Sequence, residues 1–231
     1  MAEAFTEKID AALAESSVLD ELPAEIEDFV LSKERQVSEG QYDFFCYDHA
    51  AKHRAVVGFY DASTASYKLR VEIGVVSFAL PSFIYGDFAT FGHELTRNLR
   101  RVMAGLHADT LTTQELLPVR ESLEKWAYGK ELPEEIEGYT LFVRPSAPAE
   151  LTNGSFLIID YVDFARRNDV GIYYNCYRNE FFGEYHAAGM PYVSYSFDAE
   201  SLEELEQRLK LHLVRYLREA SAQSELETNG K

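Results

Sequence analysis

The chain contains nearly the same phrase twice. ELPAEIEDFVL occupies residues 21–31 and ELPEEIEGYTLFV occupies residues 131–143, so the two copies are 110 positions apart. An apolar helical pattern precedes each phrase and keeps that offset, because Ile9 in the first half matches Val119 in the second. Since separate segments share one offset, the sequence indicates an internal duplication and not a chance recurrence of acidic residues.

The end of each half supports the same conclusion. Both halves close with leucines and other apolar residues at spacings of three and four, which is typical of a helix that buries one face. At an offset of 110, Leu95 pairs with Leu205, and Pro81, just before the helix, pairs with Pro191. We therefore expect these residues to superpose when the two halves are compared.

Between its two helices, each half contains five segments that are rich in Val, Ile, Tyr and Phe and are separated by Gly, Asn, Asp or Pro, as strands are. There the offset drifts to 114, and RPSAPAELTNG is a longer loop in the second half. Short connections favour antiparallel pairing. The predicted fold is α+β: a tandem duplication of an α-β-β-β-β-β-α unit, with mainly antiparallel sheets each covered by helices. The predicted units are 1–110 and 111–220, followed by a frayed acidic tail at 221–231 that lacks an apolar face.

Charge narrows the classes of partner. The chain has 39 acidic and 22 basic residues, a formal net charge of −17 and a pI near 4.7. The negative electrostatic potential of such a chain repels phosphate backbones and anionic lipids. We therefore expect no nucleic acid and no membrane as partner, and we favour a basic protein. No signal peptide and no apolar run of membrane-spanning length is visible, and two cysteines suit a reducing compartment, which predicts a cytoplasmic protein.

No motif predicts a metal or a cofactor. His49 and His53 have the i, i+4 spacing of a helical metal pair, but they lie between predicted strands, where that spacing separates them by about 13 Å. The sequence contains no glycine-rich phosphate loop, no CxxC pair and no nucleophile elbow. We therefore predict no metal and no cofactor.

Two sets of residues could support chemistry in the second half. Cys176 and His186 could form a thiol–imidazole pair. Carboxylates could pair for proton transfer, and the candidates are Asp160, Asp163, Glu180 and Glu184. A chain with 39 acidic residues produces such clusters freely, so an enzyme or small-ligand binder, with its site between the two units, is the alternative prediction.

Aromatic residues are densest between Tyr173 and Phe197. Because a strand alternates its faces, consecutive aromatics place rings on both sides of a sheet. One side builds the core, and the other contacts the twin unit, a partner or a ligand. The binding residues that we predict on the outward side are Tyr174, Tyr177 and Tyr185, together with Arg178. The alternative, in which these rings only join the two halves, agrees equally well with the sequence.

In architecture and charge, the predicted protein resembles the small acidic secretion chaperones and toxin-immunity proteins of bacteria, which are built from helix–sheet–helix units. This resemblance implies binding and not catalysis, and it transfers no role to any residue. The leading hypothesis is a non-enzymatic cytosolic binding protein that recognises a basic or amphipathic protein segment. The recognition surface would be a tyrosine-rich sheet face with an acidic rim. The sequence does not predict an oligomeric state.

Overall fold

A computed structural model divides the chain into two units, Met1–Ala108 and Asp109–Lys231. The predicted boundary between residues 110 and 111 lies outside the part of the chain that the structure describes. The described residues are 2–38, 40–108, 117–151 and 154–229.

The first unit begins and ends with a helix. Its helices are α1 (Ala2–Ala14) and α2 (Phe88–His107), and a 3-10 turn lies at Ala50–Lys52. Its strands are β1 (Glu25–Ile26), β2 (Phe29–Ser32), β3 (Gln36–Ser38), β4 (Gln41–His49), β5 (Arg54–Asp61), β6 (Ser66–Ile73) and β7 (Val76–Tyr85).

The second unit repeats this order with one extra short helix. Its helices are α3 (Leu117–Lys125), α4 (Ala127–Lys130) and α5 (Leu202–Asn229). Its strands are β8 (Glu135–Ile136), β9 (Tyr139–Val143), β10 (Ala149–Glu150), β11 (Ser155–Asp163), β12 (Asn168–Asn175), β13 (Glu180–Ala187) and β14 (Met190–Ala199).

The two sheets share one topology. The strand orders are β1-β2-β4-β5-β6-β7 and β8-β9-β11-β12-β13-β14, with β3 paired to β4 and β10 to β11. Every strand pairing within the described residues is antiparallel. The five predicted strands of each half are present, and two further strands of two or three residues complete each seven-stranded sheet. The predicted α+β fold with a tandem duplication is confirmed.

The offset between equivalent positions changes once along the chain. The first hairpins, β1–β2 and β8–β9, keep the offset of 110. From β4 and β11 onwards the offset is 114, since Cys46 lies opposite Val57 as Asp160 lies opposite Gly171. The four additional residues of the second unit precede β11, in agreement with the longer loop predicted there.

The predicted superposition of Pro81 on Pro191 is wrong. Pro191 lies opposite His186 in the second sheet, and Ser77 lies opposite Glu72 at the corresponding position of the first. Both pairs differ by 114, so Ser77 is the equivalent of Pro191. The two prolines lie near the ends of similar strands, and their offset of 110 is a coincidence of sequence.

The predicted superposition of Leu95 on Leu205 is wrong for the same reason. Asp87 begins α2 by accepting a hydrogen bond from a backbone N–H at 2.8 Å, and Ser201 does the same for α5 at 3.2 Å. These caps are 114 positions apart, so Leu95 is equivalent to Leu209. Leucines at spacings of three and four nearly coincide again after a shift of four residues, which is why the helical pattern could not distinguish the two offsets.

The repeated Leu-Pro phrase has the same contact in both units. The buried Tyr47 hydroxyl donates a hydrogen bond to the Pro23 carbonyl at 2.6 Å, and the buried Tyr161 hydroxyl donates one to the Pro133 carbonyl at 2.7 Å. Each proline ends the segment after the first helix. The hydrogen bond then ties this segment to the central part of the sheet.

The final helix of each unit covers one face of its sheet, and its apolar stripe is buried. In α2 the buried stripe is Phe91, Leu95, Leu99 and Met103. In α5 it is Leu205, Leu209, Leu213 and Leu217. Burying one such side chain contributes about 1.5–3 kcal/mol, so these stripes stabilise the attachment of each helix to its sheet.

The prediction of a frayed tail at 221–231 is wrong for residues 221–229, which continue α5. Ala220 is 0% exposed and Ser224 is 5% exposed, so the buried stripe extends by two small residues. The Glu227 carboxylate also accepts a hydrogen bond from the Tyr192 hydroxyl of β14. Small and polar residues can therefore hold the helix on the sheet without an apolar sequence pattern. Residues 230 and 231 lie outside the described part.

Candidate functional site

Five polar side chains from three neighbouring strands lie on the face of the second sheet that is opposite to its helices, the helix-distal face. The register places Asp160 opposite Gly171 and Asp169 opposite His186. Alternation along β12 and β13 places the remaining members on the same face. The members of this polar cluster are Asp160, Asp169, Tyr173, Glu184 and His186.

Asp169 and His186 are the best-paired members of the polar cluster. The Asp169 Oδ1 atom accepts a hydrogen bond from the His186 backbone N–H at 2.9 Å and lies 2.5 Å from His186 Nδ1. Burial by itself would lower the pKa of His186. The hydrogen bond to Asp169 and the charge of Asp169 outweigh burial and raise the pKa of His186 above its usual value. The pair therefore favours an imidazolium beside a carboxylate.

Asp160 is the least compensated group of the cluster. It is 0% exposed, and neither of its carboxyl oxygens has a hydrogen-bond donor among the residues that the structure describes. Burial, and then the negative charge of Asp169, raise the pKa of Asp160 well above its usual range. A protonated Asp160 accounts for both the missing donors and the raised pKa, because a neutral carboxyl itself donates a hydrogen bond to a neighbouring carboxylate.

Tyr173 adds a buried hydroxyl beside these carboxyls. Its ring stacks on Phe182 with centroids 5.0 Å apart, and a Cβ atom at Gly171 would lie 2.9 Å from its hydroxyl oxygen. That hydroxyl has no hydrogen-bond partner within the described ranges. Burial, followed by the charges of Asp169 and Asp160, raises the pKa of Tyr173 well above its usual value, so the phenol stays protonated.

A cleft of about 590 Å³ lies where β13 and β14 separate. The strand register shifts between Phe181 and Gly183, so residues 195–198 of β14 lie against Phe182 alone. Such a bulge bends a strand away from its neighbour. Glu184 lines the cleft and also belongs to the polar cluster, so the two features meet at this residue.

Carboxylates and large apolar side chains line this cleft, which we call the acidic cleft. Its acidic residues are Glu180, Glu184, Asp198, Glu200 and Glu204. Its large apolar residues are Phe181, Phe182, Val193 and Tyr195. Arg178 is the one cation among the lining residues that the structure describes.

Two of the cleft carboxylates have raised pKa values, although nearby cations oppose the shift: His186 at Glu184, and Arg208 and Arg178 at Asp198. Burial raises the pKa of Glu184, and burial followed by the charge of Glu180 raises the pKa of Asp198. Arg178 forms its ion pair with Glu180, at 2.6 Å, and no ion pair to Glu184 or Asp198 occurs among the described residues. A cationic group placed in the cleft would favour the ionised form of both carboxylates.

The predicted outward placement of Tyr174 and Tyr185 is wrong. Tyr174 is 5% exposed and Tyr185 is 8% exposed, and both belong to the core between the sheet and its helices. The Tyr185 ring packs on Tyr216 of α5, with centroids 5.5 Å apart. Consecutive strand residues alternate faces, so in the Tyr173-Tyr174 pair Tyr173 is the residue on the helix-distal face.

Tyr177 and Arg178 lie at the turn between β12 and β13. The Asn175 side-chain oxygen accepts hydrogen bonds from both of their backbone N–H groups at 3.0 Å, which fixes the turn. Tyr177 is 72% exposed, so its side chain is accessible to a partner, as predicted. It does not line the acidic cleft. Arg178 does line it.

The structure does not bring Cys176 and His186 together. Cys176 follows the end of β12, whereas His186 lies opposite Asp169 of the same strand. Asp169 is seven residues before Cys176, which corresponds to about 23 Å at the rise of a strand. Of the predicted carboxylate candidates, Glu180 and Glu184 meet in the acidic cleft, and Asp160 pairs with Asp169. Asp169 was not among the carboxylates that the sequence suggested, because it directly follows a charged turn. It nevertheless lies two residues before Gly171 and four before Tyr173 on β12, so all three share one face.

Comparison with protein-family models, with curated proteins and with solved structures finds no match to this chain. None of the helices in the described part of the chain is long and apolar enough to cross a membrane.

Proposed function

We propose that the second unit binds a basic, amphipathic segment of a partner protein in the acidic cleft. The observation that carries the proposal is the lining of the cleft, in which five carboxylates and four large apolar side chains accompany a single arginine. Its volume of about 590 Å³ suits a few side chains of a ligand. A lysine or arginine flanked by apolar residues matches both kinds of lining.

The position of β14 supports the binding of an extended segment. This strand ends the order of the second sheet, and a terminal strand offers backbone N–H and C=O groups to an added strand. Val193 is 67% exposed and Tyr195 is 80% exposed, and both line the cleft. The partner segment would pair along β14 while its basic side chains enter the cleft.

The five acidic positions of the cleft are not acidic in the first unit. At an offset of 114, none of the five cleft carboxylates has a carboxylate as its equivalent in the first unit. The equivalent residues are Ser66, Arg70, Ile84, Gly86 and Thr90. Since the duplicated backbone does not require this charge, the acidity of the cleft is better explained by a ligand than by folding.

Synthetic peptides test the proposal directly. Ten-residue peptides that alternate lysine with leucine or phenylalanine should bind with micromolar dissociation constants by isothermal titration calorimetry, and matched glutamate peptides should not bind. The affinity should fall as salt increases, because charge attraction between exposed groups is screened.

A charge reversal locates the binding. Glu184→Arg copies Arg70 of the first unit and should weaken binding of the lysine peptide by about tenfold or more. Glu121→Arg makes the same change on α3, where the carboxylate is 76% exposed and outside the cleft, and should alter affinity by less than about threefold. Equal effects of the two variants would mean that only the net charge of the protein attracts the peptide.

Acid–base catalysis is the second candidate, and the polar cluster is the observation that favours it. Groups with perturbed pKa values beside a cleft are typical of catalytic sites. Asp160 and Asp169 are both 0% exposed, however, so only Glu184 of the cluster's carboxylates reaches the cleft. A substrate would have no access to the aspartates, and peptide binding is therefore the function that we favour.

A further inference from the structure

Three side chains of the first unit converge from elements that are far apart in sequence. Asp28 lies in the turn between β1 and β2, His49 ends β4, and His107 ends α2. One potential ligand atom from each lies within 4.8 Å of the others, and His107 Nε2 is 3.5 Å from Asp28 Oδ2. We propose that these three residues bind a divalent transition-metal ion, with Zn²⁺ as the ion of choice.

The ligand types and spacing suit zinc. Zn²⁺ binds imidazole nitrogen and carboxylate oxygen at about 2.0–2.2 Å in a tetrahedron, which separates neighbouring ligand atoms by about 3.3 Å. The distance of 3.5 Å between His107 and Asp28 is close to this value. The Asp28 side chain is 70% exposed and can complete the approach by rotation. Three protein ligands leave a fourth position for water or another small ligand.

Neighbouring groups orient the two imidazoles. The buried Phe29 ring meets His49 edge-on with centroids 5.2 Å apart, and the His49 and His107 rings are stacked at 5.8 Å. Lys52 donates a hydrogen bond to the His107 carbonyl at 2.7 Å, which holds the end of α2 in place. The positive charge of Lys52 opposes a bound cation, so we expect micromolar affinity and not the tighter binding of a structural zinc site.

The second unit provides an internal comparison for this site. At the equivalent positions it has Gly138, Asp163 and Ser221, and Ser221 instead lies 2.8 Å from the Tyr139 hydroxyl. Asp28 has a φ of 66°, whereas Gly138 has a φ of 83° in the same turn. Glycine adopts this left-handed conformation without strain, so the first unit retains a carboxylate where the backbone favours glycine.

The sequence-based prediction of no metal considered His49 together with His53. The partner of His49 is His107, 58 positions later, and no spacing rule joins them. The site lies within the first unit and is independent of the acidic cleft of the second.

The test uses the full-length, tag-free chain after removal of metal with a chelator. Titration calorimetry with Zn²⁺ should show one ion per chain with a micromolar dissociation constant, and Co²⁺ should give the visible absorption of a four-coordinate site. Mg²⁺ in excess should not compete, because it prefers oxygen ligands. Absence of Zn²⁺ binding would overturn the proposal.

Variants assign the ligands. His49→Gln and His107→Gln should each weaken Zn²⁺ binding by about tenfold or more, and His93→Gln, at an exposed position of α2, should leave it unchanged. Asp28→Gly copies the turn of the second unit, so it should fold normally and still weaken binding, which keeps the test decisive if a histidine variant does not fold. Binding that is unchanged in all three ligand variants would be adventitious and would refute the site.

Discussion

The two units share a strand order, but the helix-distal faces of their sheets differ in charge compensation. In the first unit, Arg70 forms ion pairs with Asp43 at 2.9 Å and with Glu72 at 2.8 Å. In the second unit, the equivalent of Arg70 is Glu184 and the equivalent of Glu72 is His186. One face therefore carries a central cation with carboxylate partners, and the other carries carboxylates around a histidine.

The substitutions continue along the same face. Asp160 replaces Cys46, and Asp169 replaces Ala55. Burying an uncompensated carboxyl lowers stability. The first unit folds with a thiol and an alanine at these positions, so the fold does not require buried carboxyls there. The backbone of this unit therefore tolerates both arrangements. The buried carboxyls and the acidic cleft of the second unit are then features that the shared fold does not require.

The two cores fill the same space with different residues. Phe45 lies opposite Gly58 in the first unit, and Ile159 lies opposite Ile172 in the second. A Cβ atom at Gly58 would lie 2.2 Å from the Phe45 ring. Gly58→Ile should therefore lower the free energy of unfolding by about 3 kcal/mol or more, measured by urea denaturation with circular dichroism.

The second unit supplies the compensating change. The double variant Phe45→Ile, Gly58→Ile installs the pair found at residues 159 and 172, and it should recover most of the lost stability. Gly105→Ala is the control, because nothing lies within 4 Å of a Cβ atom there and alanine favours the helix by about 1 kcal/mol. A double variant as unstable as Gly58→Ile would show that the two cores are not interchangeable at this position.

The next effect concerns Asp160. Because its pKa is raised in the folded protein, the folded chain keeps a proton that the unfolded chain releases, and stability falls as pH rises above the usual aspartate range. Asp160→Asn is uncharged at every pH and should stabilise the protein by about 1 kcal/mol or more at pH 8, with little effect at pH 4. Urea denaturation followed by the fluorescence of Trp126, the single tryptophan, reports on the second unit.

The equivalent residue of the first unit is the control for this pH effect. Burial raises the pKa of the Cys46 thiol to about 12, so it stays neutral between pH 4 and pH 8. Cys46→Ser should therefore change stability by the same amount at both values. The pKa of His186 is also raised, so its contribution to stability is likewise lost as pH rises. Some pH dependence of stability should therefore remain in Asp160→Asn. If Asp160→Asn were less stable than the unsubstituted protein at pH 8, a neighbouring group would have to keep Asp160 ionised, and the expectation would be wrong.

Local patterns were sufficient to predict the duplication and the main strands. The repeated phrase and the matched pair Ile9 and Val119 lie where the offset is constant, and long strands rich in Val, Ile, Tyr and Phe are recognisable individually. The exact register was not predictable, because leucines at helical spacing fit an offset of 110 nearly as well as 114. Two-residue strands have no pattern of their own, and the buried contacts of Ala220 and Ser224 come from small residues that resemble a polar tail.

The candidate sites were less predictable, since they depend on which face a residue takes and on contacts between distant segments. A one-residue change of register exchanges the faces of a strand, so aromatic density could not tell that Tyr174 is in the core. Asp160 meets Asp169 only through the pairing of β11 with β12. His49 and His107 meet only because α2 returns along its sheet. The predicted acidic rim remains part of the binding hypothesis, with Glu184 and Asp198 now placed in one cleft.

Two exposed tyrosines, Tyr177 and Tyr195, distinguish binding at the β12–β13 hairpin from binding in the acidic cleft. Tyr177 corresponds to Ser63 of the first unit, and the turn around it is fixed by backbone hydrogen bonds to Asn175 that do not involve the ring. Tyr177→Ala should therefore change the free energy of unfolding by about 0.5 kcal/mol or less. Tyr195→Ala should be equally mild for stability, because that side chain is 80% exposed.

The two variants should differ in their affinity for the lysine peptide. Tyr195 lines the cleft, so a bound peptide would bury its ring, and buried aromatic side chains govern the dissociation rate. We expect Tyr195→Ala to raise the dissociation constant by about tenfold and Tyr177→Ala by less than about threefold. If the order is reversed, the partner binds at the hairpin, and the acidic cleft contributes only long-range attraction.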